Sequence, residues 1–194
     1  MRLCFASNNA HKLDEIRPLL PDFVELLSLA DIGCQEELPE TQETLEGNAR
    51  QKAQYVWDHY GVACFADDTG LEVAALDGAP GVYSARYAGP QRLAADNVQK
   101  LLQELAEHED RSAQFRTVVA LVLPTGAVHT FAGSVAGMIT EEVRGLDGFG
   151  YDPVFQPLEG DGRTFAEMTL AEKNGISHRS RAVTELVAFL NQVQ

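Results

Sequence analysis

One short stretch of the chain combines residues that suit a planar ligand with hydrogen-bonding edges. Phe149-Gly150-Tyr151-Asp152 places an aromatic ring beside a glycine that permits close approach, followed by a carboxylate that can accept from ring N–H groups. Nucleotide bases stack on aromatic rings, because every base has a flat face. Lys173, His178 and Arg179 follow and can supply positive charge and hydrogen-bond donors. Together these residues suit a purine nucleotide.

A second stretch, near the N-terminus, suits phosphate groups. Ser7-Asn8-Asn9-Ala10-His11-Lys12 joins the apolar run Leu3–Ala6 to an amphipathic segment. Free N–H groups and the dipole at a helix N-terminus favour anions, Ser7 and Asn9 can add hydroxyl and amide contacts, and Lys12 adds charge. The spacing is not that of a Walker loop. A plain capped turn is the open alternative.

Two adjacent carboxylates follow the apolar run Val62–Ala66. Asp67 and Asp68 should point to opposite sides, because side chains alternate along a strand. We therefore expect them to have different roles, one binding Mg²⁺ or activating water and the other orienting the turn. Thr69-Gly70 comes next and permits a ligand to approach closely.

The sequence also offers oxygen ligands for a hard metal ion. Mg²⁺ binds few carboxylates when substrate phosphates complete its coordination, so Asp68 and Glu40 would suffice. Glu43 and Glu46 are more simply read as solvated loop charge. A softer metal is disfavoured, because the sequence shows no cluster of Cys and His ligands.

The cationic residues late in the chain differ in how strongly they indicate a bound ligand. Lys173 near a helix C-terminus could be only a partner of the helix dipole. His178-Arg179 stands at a helix start, where the positive end of the helix dipole disfavours cations. An anionic or carbonyl ligand would explain cationic residues at this position. Between these regions, the Gly- and Pro-rich stretch Gly78–Tyr87 could be a surface loop, a lid or a subunit contact.

Apolar periodicity predicts the elements that must hold these residues in place. The predicted strands are Leu3–Ala6, Phe23–Leu29, Val62–Ala66, Leu71–Ala75, Gln114–Leu123 and Ala127–Val135. The predicted helices are a first one that has Leu13, Ile16, Leu19 and Leu20 on one face and that Pro21 stops, Leu45–Tyr60, Arg92–Glu107, a short helix opened by the capping box Thr169–Glu172, and a last helix with the stripe Val183, Leu186, Val187 and Leu190. Strands of both parallel and hairpin type predict an α/β or α+β fold with a mixed sheet and flanking helices.

Composition narrows the class of protein. The chain has 194 residues and a net charge of −14, which disfavours binding to the backbone of DNA or RNA. No window approaches the ~20 apolar residues of a membrane span, and Met1–Asn8 turns polar too early for a signal peptide. We expect a cytoplasmic protein without a membrane partner. The three cysteines, Cys4, Cys34 and Cys64, are too far apart and odd in number to predict a disulfide framework or a zinc site, and Cys4 and Cys64, each in an apolar run, are expected to be buried and reduced.

The motifs in their order resemble those of the inosine triphosphate pyrophosphatase family, which acts on ITP, dITP and XTP. The resemblance covers nearly the whole chain and rests on five stretches: Ser7–Lys12, Phe65–Leu71, Gly78–Tyr87, Gly148–Phe155, and Glu172-Lys173 with Ile176–Arg179. It implies a twisted mixed sheet, a single domain over 1–194 with two lobes around a central cleft, Mg²⁺ as cofactor, and a homodimer.

The resemblance also implies roles for individual residues. Asp68 matches the proton acceptor and a metal ligand, and Glu40 matches a second metal ligand. The implied substrate contacts are Ser7, Asn8, Asn9, Ala10, His11, Lys12, Thr69, Phe149, Gly150, Tyr151, Asp152, Lys173, His178 and Arg179. One departure is Gly47-Asn48-Ala49, where family members often have Glu-Asn-Ala, which puts a metal role for the nearby Glu46 in doubt.

The expected reaction is hydrolysis of a purine nucleoside triphosphate to the monophosphate and pyrophosphate. Asp68, directly or through the metal, would prepare water for attack at the α-phosphorus. Donors from Arg179, His178 or backbone would bind the C6 oxygen of hypoxanthine or xanthine, where adenine carries an amino group. Three alternatives are a pyrophosphatase for modified pyrimidine nucleotides, a nucleotide sensor that does not hydrolyse, and a structural α/β protein.

Overall fold

The chain folds into two compact units, each with its own hydrophobic core. A computed structural model describes residues 1–193. Unit 1 comprises Met1–Asp68, Thr117–Gly133 and Arg179–Gln194, and unit 2 comprises Thr69–Arg116 and Ser134–His178. The boundaries between the units fall at or within β3, β5, β6 and α5, whose bounds follow.

The predicted mixture of strands and helices is confirmed. The strands are β1 Arg2–Phe5, β2 Glu25–Leu27, β3 Cys64–Val73, β4 Pro80–Gly81, β5 Ser112–Val122, β6 Val128–Ile139 and β7 Phe155–Pro157. The α-helices are α1 Ala10–Ile16, α2 Leu45–Tyr60, α3 Ala94–Glu104, α4 Leu170–Asn174 and α5 His178–Gln192. The strand order is β2-β1-β3-β5-β6-β7, with β4 on β3. β1 is parallel to β2 and β3, whereas β4 and β7 are antiparallel to their partners, so the sheet is mixed.

The course of β3 corrects one prediction. Asp67-Asp68 was expected to lie in a turn after a strand ending at Ala66, but the strand continues through both carboxylates to Val73. Asp67 is 0% exposed in the middle of this strand. A buried carboxylate is stable there because cationic side chains pair with it, and apolar patterning along the strand gives no sign of such pairs.

Several other element boundaries differ from the predicted ones. α1 ends at Ile16, ahead of Pro21, because a 3-10 turn containing Pro18 follows, and Pro18 has no N–H to continue the helix. α3 begins at Ala94 because Arg92 has a φ of 54°, outside the helical region. The short strand β7, which pairs with β6, was not predicted.

The local signals at helix ends agree well with the structure. The Thr44 side chain accepts from Gly47 N–H at the start of α2, and Gly61 ends the helix with a φ of 64°. The predicted capping box of Thr169 and Glu172 opens α4. Side-chain caps and a left-handed glycine satisfy the unpaired backbone groups at helix ends, so these boundaries are set within a few residues of sequence.

Each unit buries a separate cluster of apolar side chains. In unit 1, Phe5 and Phe65 on neighbouring strands stack with ring centroids 5.0 Å apart. The predicted stripe of the last helix packs there through Val183, Leu186 and Leu190. In unit 2, Phe115 packs against Phe155 at 4.6 Å within a cluster that α3 covers with apolar residues.

All three cysteines are buried and form no disulfide, which confirms the predicted burial of Cys4 and Cys64. Within residues 1–193, no helix combines the length and apolar character needed to cross a bilayer.

Candidate active site

A buried carboxylate at the middle of β3 organises the charges of unit 1. Lys12 Nζ lies 3.0 Å from Asp67 Oδ1 and 2.9 Å from Oδ2, and Arg179 Nε lies 3.2 Å from Oδ2. Arg179 also pairs with Glu15. Because α1 carries both Lys12 and Glu15, one turn of helix supplies a cation to Asp67 and an anion to Arg179. The cluster therefore joins α1, β3 and α5.

Burial and the attraction of opposite charges shift the pKa values of these groups in opposite directions. Burial would raise the pKa of Asp67, but Lys12 and Arg179 overcome this effect and hold the pKa well below its ordinary value. For Lys12, burial dominates and lowers the pKa despite the attraction of Asp67, with the neighbouring cations Lys52 and Arg179 adding to the decrease. Asp67 is thus a firmly ionised anchor.

The turn before α1 has the geometry of a capped helix start. Ser7 Oγ accepts from Asn9 N–H at 3.2 Å, and Asn9 Oδ1 accepts from Lys12 N–H at 3.2 Å. Asn8 to His11 are exposed. The side chains that were predicted to contact phosphate thus shape the turn, and their phosphate contacts stay a prediction. The cap also starts the helix that carries Lys12.

Asp68 has different partners from Asp67, as the alternation along a strand predicted. Asn48 Nδ2 donates to Asp68 Oδ2 at 3.1 Å, and Lys52 Nζ lies 3.7 Å from Oδ1. The same ammonium donates to Glu40 Oε1 at 2.6 Å and to the backbone oxygen of Asp67 at 2.8 Å. Burial raises the pKa of Asp68, and the repulsion of Glu40 adds to the increase, while Lys52 and Lys12 oppose it.

The residues fit a hard cation that is shared with a ligand. Glu40 and Asp68 both reach one ammonium, so their oxygens lie close enough to act together. Among residues 1–193, no group of three or more His, Cys, Asp or Glu side chains could hold a metal by itself. Two carboxylates completed by phosphate oxygens and water are the pattern of Mg²⁺ sites in nucleotide enzymes.

The other acidic loop residues differ from this pair. Glu46 pairs with Arg50 on the surface of α2 at 2.9 Å, and Glu43 is exposed. The departure at Gly47 has a steric reason, because an added Cβ would lie 2.8 Å from Gln42 Cβ and 2.9 Å from Thr44 Oγ1. A larger residue would disturb the cap at the start of α2.

Three polar residues of this cluster were missed in the sequence. Asn48 and Lys52 are 1% and 5% exposed on the inward face of α2, and Glu15 is 3% exposed on α1. The sequence did contain a sign that two of them are buried, because Asn48 and Lys52 lie on the same helix face as Ala49, Ala53 and Val56. A polar side chain at such a position must find a buried partner.

Unit 2 contains a second cluster, built around Asp152. Asp152 Oδ2 accepts from Phe149 N–H at 2.9 Å and from Lys173 Nζ at 2.5 Å. The Lys173 ammonium lies 4.9 Å from the centroid of the Phe149 ring and 5.3 Å from that of Phe165. Asp152, which was predicted to accept from a base, therefore also fixes the loop and the cation beside the Phe149 ring.

The neighbouring motif residues are held by packing. Tyr151 lies in the core of unit 2 and its hydroxyl donates to Ser84 O at 2.7 Å. His178 stacks on Phe115 at 4.5 Å. Arg179 follows directly but contacts Glu15 and Asp67 of unit 1, so the misplaced cation at the start of α5 has carboxylate partners. Thr69 lies within β3.

Glycines permit the backbone turns around Phe149. Gly148 and Gly150 have φ values of 75° and 63°. A Cβ at Gly148 would collide with Asp152 Oδ2, whereas one at Gly150 would meet nothing within 4 Å. The glycine before Phe149 is thus required for close approach as well as for its backbone conformation.

The Gly78–Tyr87 stretch is anchored at several points. The Ser84 side chain accepts from Leu71 N–H and donates to Gly81 O, and the Tyr87 hydroxyl contacts Glu104 on α3. Tyr83 is 55% exposed, and Arg86 lies 5.2 Å from its ring centroid. These contacts tie the stretch to β3 through Ser84 and to α3 through Tyr87.

Comparisons with known proteins agree over the whole chain. The model of the Ham1 family matches residues 3–189. A dITP/XTP pyrophosphatase of Flavobacterium johnsoniae is 54% identical over 190 residues, which cover 98% of this chain and 98% of that protein. A dITP/XTP pyrophosphatase of Porphyromonas gingivalis is 55% identical over 190 residues, covering 97% of each.

Solved structures are similar over nearly the full length of the chain. The structure of the Staphylococcus aureus Ham1 protein has a TM-score of 0.90 at 36% identity and covers 100% of both chains. That of a nucleoside-triphosphatase / dITP/XTP pyrophosphatase from Mycobacterium abscessus has a TM-score of 0.77 at 44% identity, covering 96% of this chain and 99% of that one. The resemblance that the motifs indicated is thereby confirmed, and the chain belongs to the Ham1 family.

Proposed function

We propose that this protein hydrolyses nucleoside triphosphates with deaminated purine bases, such as ITP, dITP and XTP, to the monophosphate and pyrophosphate. This reaction keeps deaminated purines out of DNA and RNA. Relatives named dITP/XTP pyrophosphatase are 54% and 55% identical over nearly the full length, which supports the same reaction class. The observation that carries the chemistry is the buried Asp68 carboxylate, held by Asn48 and facing Lys52.

Asp68 has the surroundings of a general base. It would accept a proton from the water that attacks the α-phosphorus. A base is most effective when its pKa lies near the working pH, and burial raises the pKa of Asp68 in that direction. The Asn48 amide donates to Oδ2 and fixes the carboxylate plane. The neighbouring Asp67 cannot take this role, because Lys12 and Arg179 keep it ionised and paired.

The charge of the unit 1 cluster supports a metal requirement. Among the described side chains, the cations Lys12, Lys52 and Arg179 stand against four carboxylates, namely Glu15, Glu40, Asp67 and Asp68. A triphosphate would meet a net negative cluster, so a further cation is needed. Glu40 and Asp68 would hold Mg²⁺, which when bound supplies positive charge to the phosphate oxygens and the leaving pyrophosphate. Lys12 would add a further positive charge for the phosphate groups.

The unit 2 cluster suits the base. The Phe149 ring offers a stacking face, and the Asp152 carboxylate and Gly148 hold its loop. Donors of His178 or the loop backbone would bind the C6 oxygen, which adenine lacks. A site that depends on such hydrogen bonds can discriminate by ~10⁴. Base recognition by Arg179 stays a prediction, as do the homodimer and the cytoplasmic location.

Pyrophosphate release from ITP, dITP, XTP, GTP, ATP and dUTP, with and without Mg²⁺, tests the proposal. We expect Mg²⁺-dependent turnover of ITP, dITP and XTP with little hydrolysis of ATP. Preferential turnover of dUTP would overturn the purine assignment and support the pyrimidine alternative. Binding of ITP without turnover would instead identify a nucleotide sensor.

A further inference from the structure

The ammonium of Lys52 lies where oxygens that suit a divalent cation converge. Its Nζ atom is 2.6 Å from Glu40 Oε1, 2.8 Å from the backbone oxygen of Asp67 and 3.7 Å from Asp68 Oδ1. Carboxylate and carbonyl oxygens are also the ligands that hard divalent cations take from proteins. Lys52 is 5% exposed, so its charge is held inside the cluster.

The position of Lys52 on α2 fixes where its side chain begins, whereas the ammonium at the end of that side chain can move. Lys52 lies on the buried face of a helix whose start is capped by Thr44. Asn48, one turn earlier on the same face, holds the second oxygen of Asp68. A lysine carries its charge on a flexible four-carbon stem. The ammonium can therefore leave the carboxylates while the helix and Asp68 stay in place.

A divalent cation at the same carboxylates would face this ammonium at short range. Like charges repel strongly where little water separates them, and Lys12 adds a further cation near Asp68. Glu40 and Asp68 cannot bind a metal with full strength while both also neutralise Lys52. The metal and the ammonium are therefore competitors for one pair of carboxylates.

We propose that Lys52 is the resident counter-cation of the Glu40–Asp68 pair and that a divalent cation binds this pair in competition with the Lys52 ammonium. The inference rests on the proposed function for the metal site. Without nucleotide, Lys52 keeps the affinity for metal low. A triphosphate gives the displaced ammonium a new anionic partner, so metal and nucleotide strengthen each other's binding, as reciprocal coupling requires. Lys52 thus acts on metal binding through the carboxylates of Glu40 and Asp68.

Titration of the nucleotide-free protein with Mn²⁺, followed by the electron paramagnetic resonance signal of the free ion, tests this inference. Lys52→Met removes the charge and the donors, and Lys52→Gln removes the charge but keeps a donor for Glu40. We expect both variants to bind Mn²⁺ about tenfold more tightly than the unmodified protein, or more. Circular dichroism shows whether each variant folds. If Lys52→Met does not fold, the affinity of Lys52→Gln decides the test.

A matched control separates local competition from the change in net charge. Arg50→Gln removes one positive charge from the exposed face of the same helix, where Arg50 pairs with Glu46. Its Mn²⁺ affinity should change little. Affinities of the Lys52 variants that equal the Arg50→Gln value, or fall below the unmodified value, would overturn the inference.

The Mn²⁺ titration does not depend on whether the protein hydrolyses nucleotides, so the two proposals can fail separately. Failure of the unmodified protein to release pyrophosphate from ITP would contradict the proposed function. Unchanged Mn²⁺ affinity in the Lys52 variants of an active enzyme would contradict only the competition between metal and ammonium.

Discussion

The Lys12 ammonium and the Asp67 carboxylate form a buried ion pair although 55 positions separate them along the chain. Lys12 Nζ lies 3.0 Å from Oδ1 and 2.9 Å from Oδ2, so it reaches both oxygens. Arg179 Nε approaches the second oxygen at 3.2 Å. One carboxylate thus joins β3 to α1 and α5, and it positions the cation that we assign to phosphate.

Removal of the Asp67 charge should destabilise the fold strongly. Asp67→Asn leaves Lys12 and Arg179 buried without their shared anion, and breaking a buried pair costs about 3–5 kcal/mol. Urea unfolding of the variant and the unmodified protein gives the free energy difference. Glu46→Gln breaks an exposed pair with Arg50 and should cost at most about 1 kcal/mol. Similar losses in both variants would contradict the buried ion pair as a structural anchor.

Loss of the Asp68 charge should remove turnover and leave the fold intact. In Asp68→Asn the carbonyl oxygen can still accept from Asn48, but the side chain can no longer take a proton. Loss of a general base lowers rates by about 10²–10⁴. Measured kcat for ITP should fall accordingly, while the circular dichroism spectrum is unchanged.

Titration of the metal-free protein gives an independent readout of Asp68. Because burial raises the pKa of Asp68 above its ordinary value of 3.8, the NMR signal of its carboxyl carbon should shift at a higher pH than that of an ordinary aspartate. An Asp68→Asn variant with unmodified kcat would refute the assignment.

Loss of the Phe149 ring should weaken substrate binding. Base–aromatic stacking contributes about 1–3 kcal/mol, so Phe149→Ala should raise KM for ITP by roughly fivefold to a hundredfold. Leu146→Ala, at a side chain that is 101% exposed in the same loop, provides the control and should leave KM unchanged. Equal KM values for both variants would show that the base does not stack on Phe149.

The two glycines beside Phe149 should differ in their tolerance of alanine. Gly148→Ala places a methyl group against Asp152 Oδ2, so it should displace the carboxylate and lower kcat/KM for ITP. Gly150→Ala meets open space and should cost only the ~1–2 kcal/mol of left-handed backbone strain. Kinetics and thermal unfolding of both variants check this difference, which an equal loss of activity would disprove.

The Glu172 carboxylate should make stability depend on acid pH. Hydrogen bonds from the Arg163 side chain and from Thr169 lower the pKa of Glu172 from 4.5 to about 2. A folded-state pKa below the unfolded one stabilises the fold above pH 4.5, and this contribution is lost as the pH falls toward about 2. Unfolding free energies of the unmodified protein and Glu172→Gln should therefore differ at neutral pH and converge in this window.

A control separates this effect from general acid denaturation. Glu185→Gln changes an exposed carboxylate on α5, and its unfolding free energy should follow that of the unmodified protein at every pH. A Glu172→Gln difference that persists unchanged near pH 2 would refute the prediction.

Local signals in the sequence determined many of the elements. The bounds of α2, Leu45–Tyr60, were predicted in full from the spacing of its apolar residues, and in the structure Thr44 and Gly61 satisfy backbone groups at its two ends. The start of α4 was predicted from the capping box of Thr169 and Glu172, and α5 was predicted from the helical period of its apolar stripe. Their causes lie within a few residues of each other.

The residue types that could do the chemistry were also visible in the sequence, but their pairing was decided by tertiary structure. Asp67-Asp68 lies within β3 rather than after it, because Lys12 and Arg179 arrive from distant helices to neutralise a buried charge. The contacts of Lys52 with Glu40 and Asp68 likewise depend on how α2 packs. Burial makes such partners obligatory, and only the folded chain determines which side chains meet.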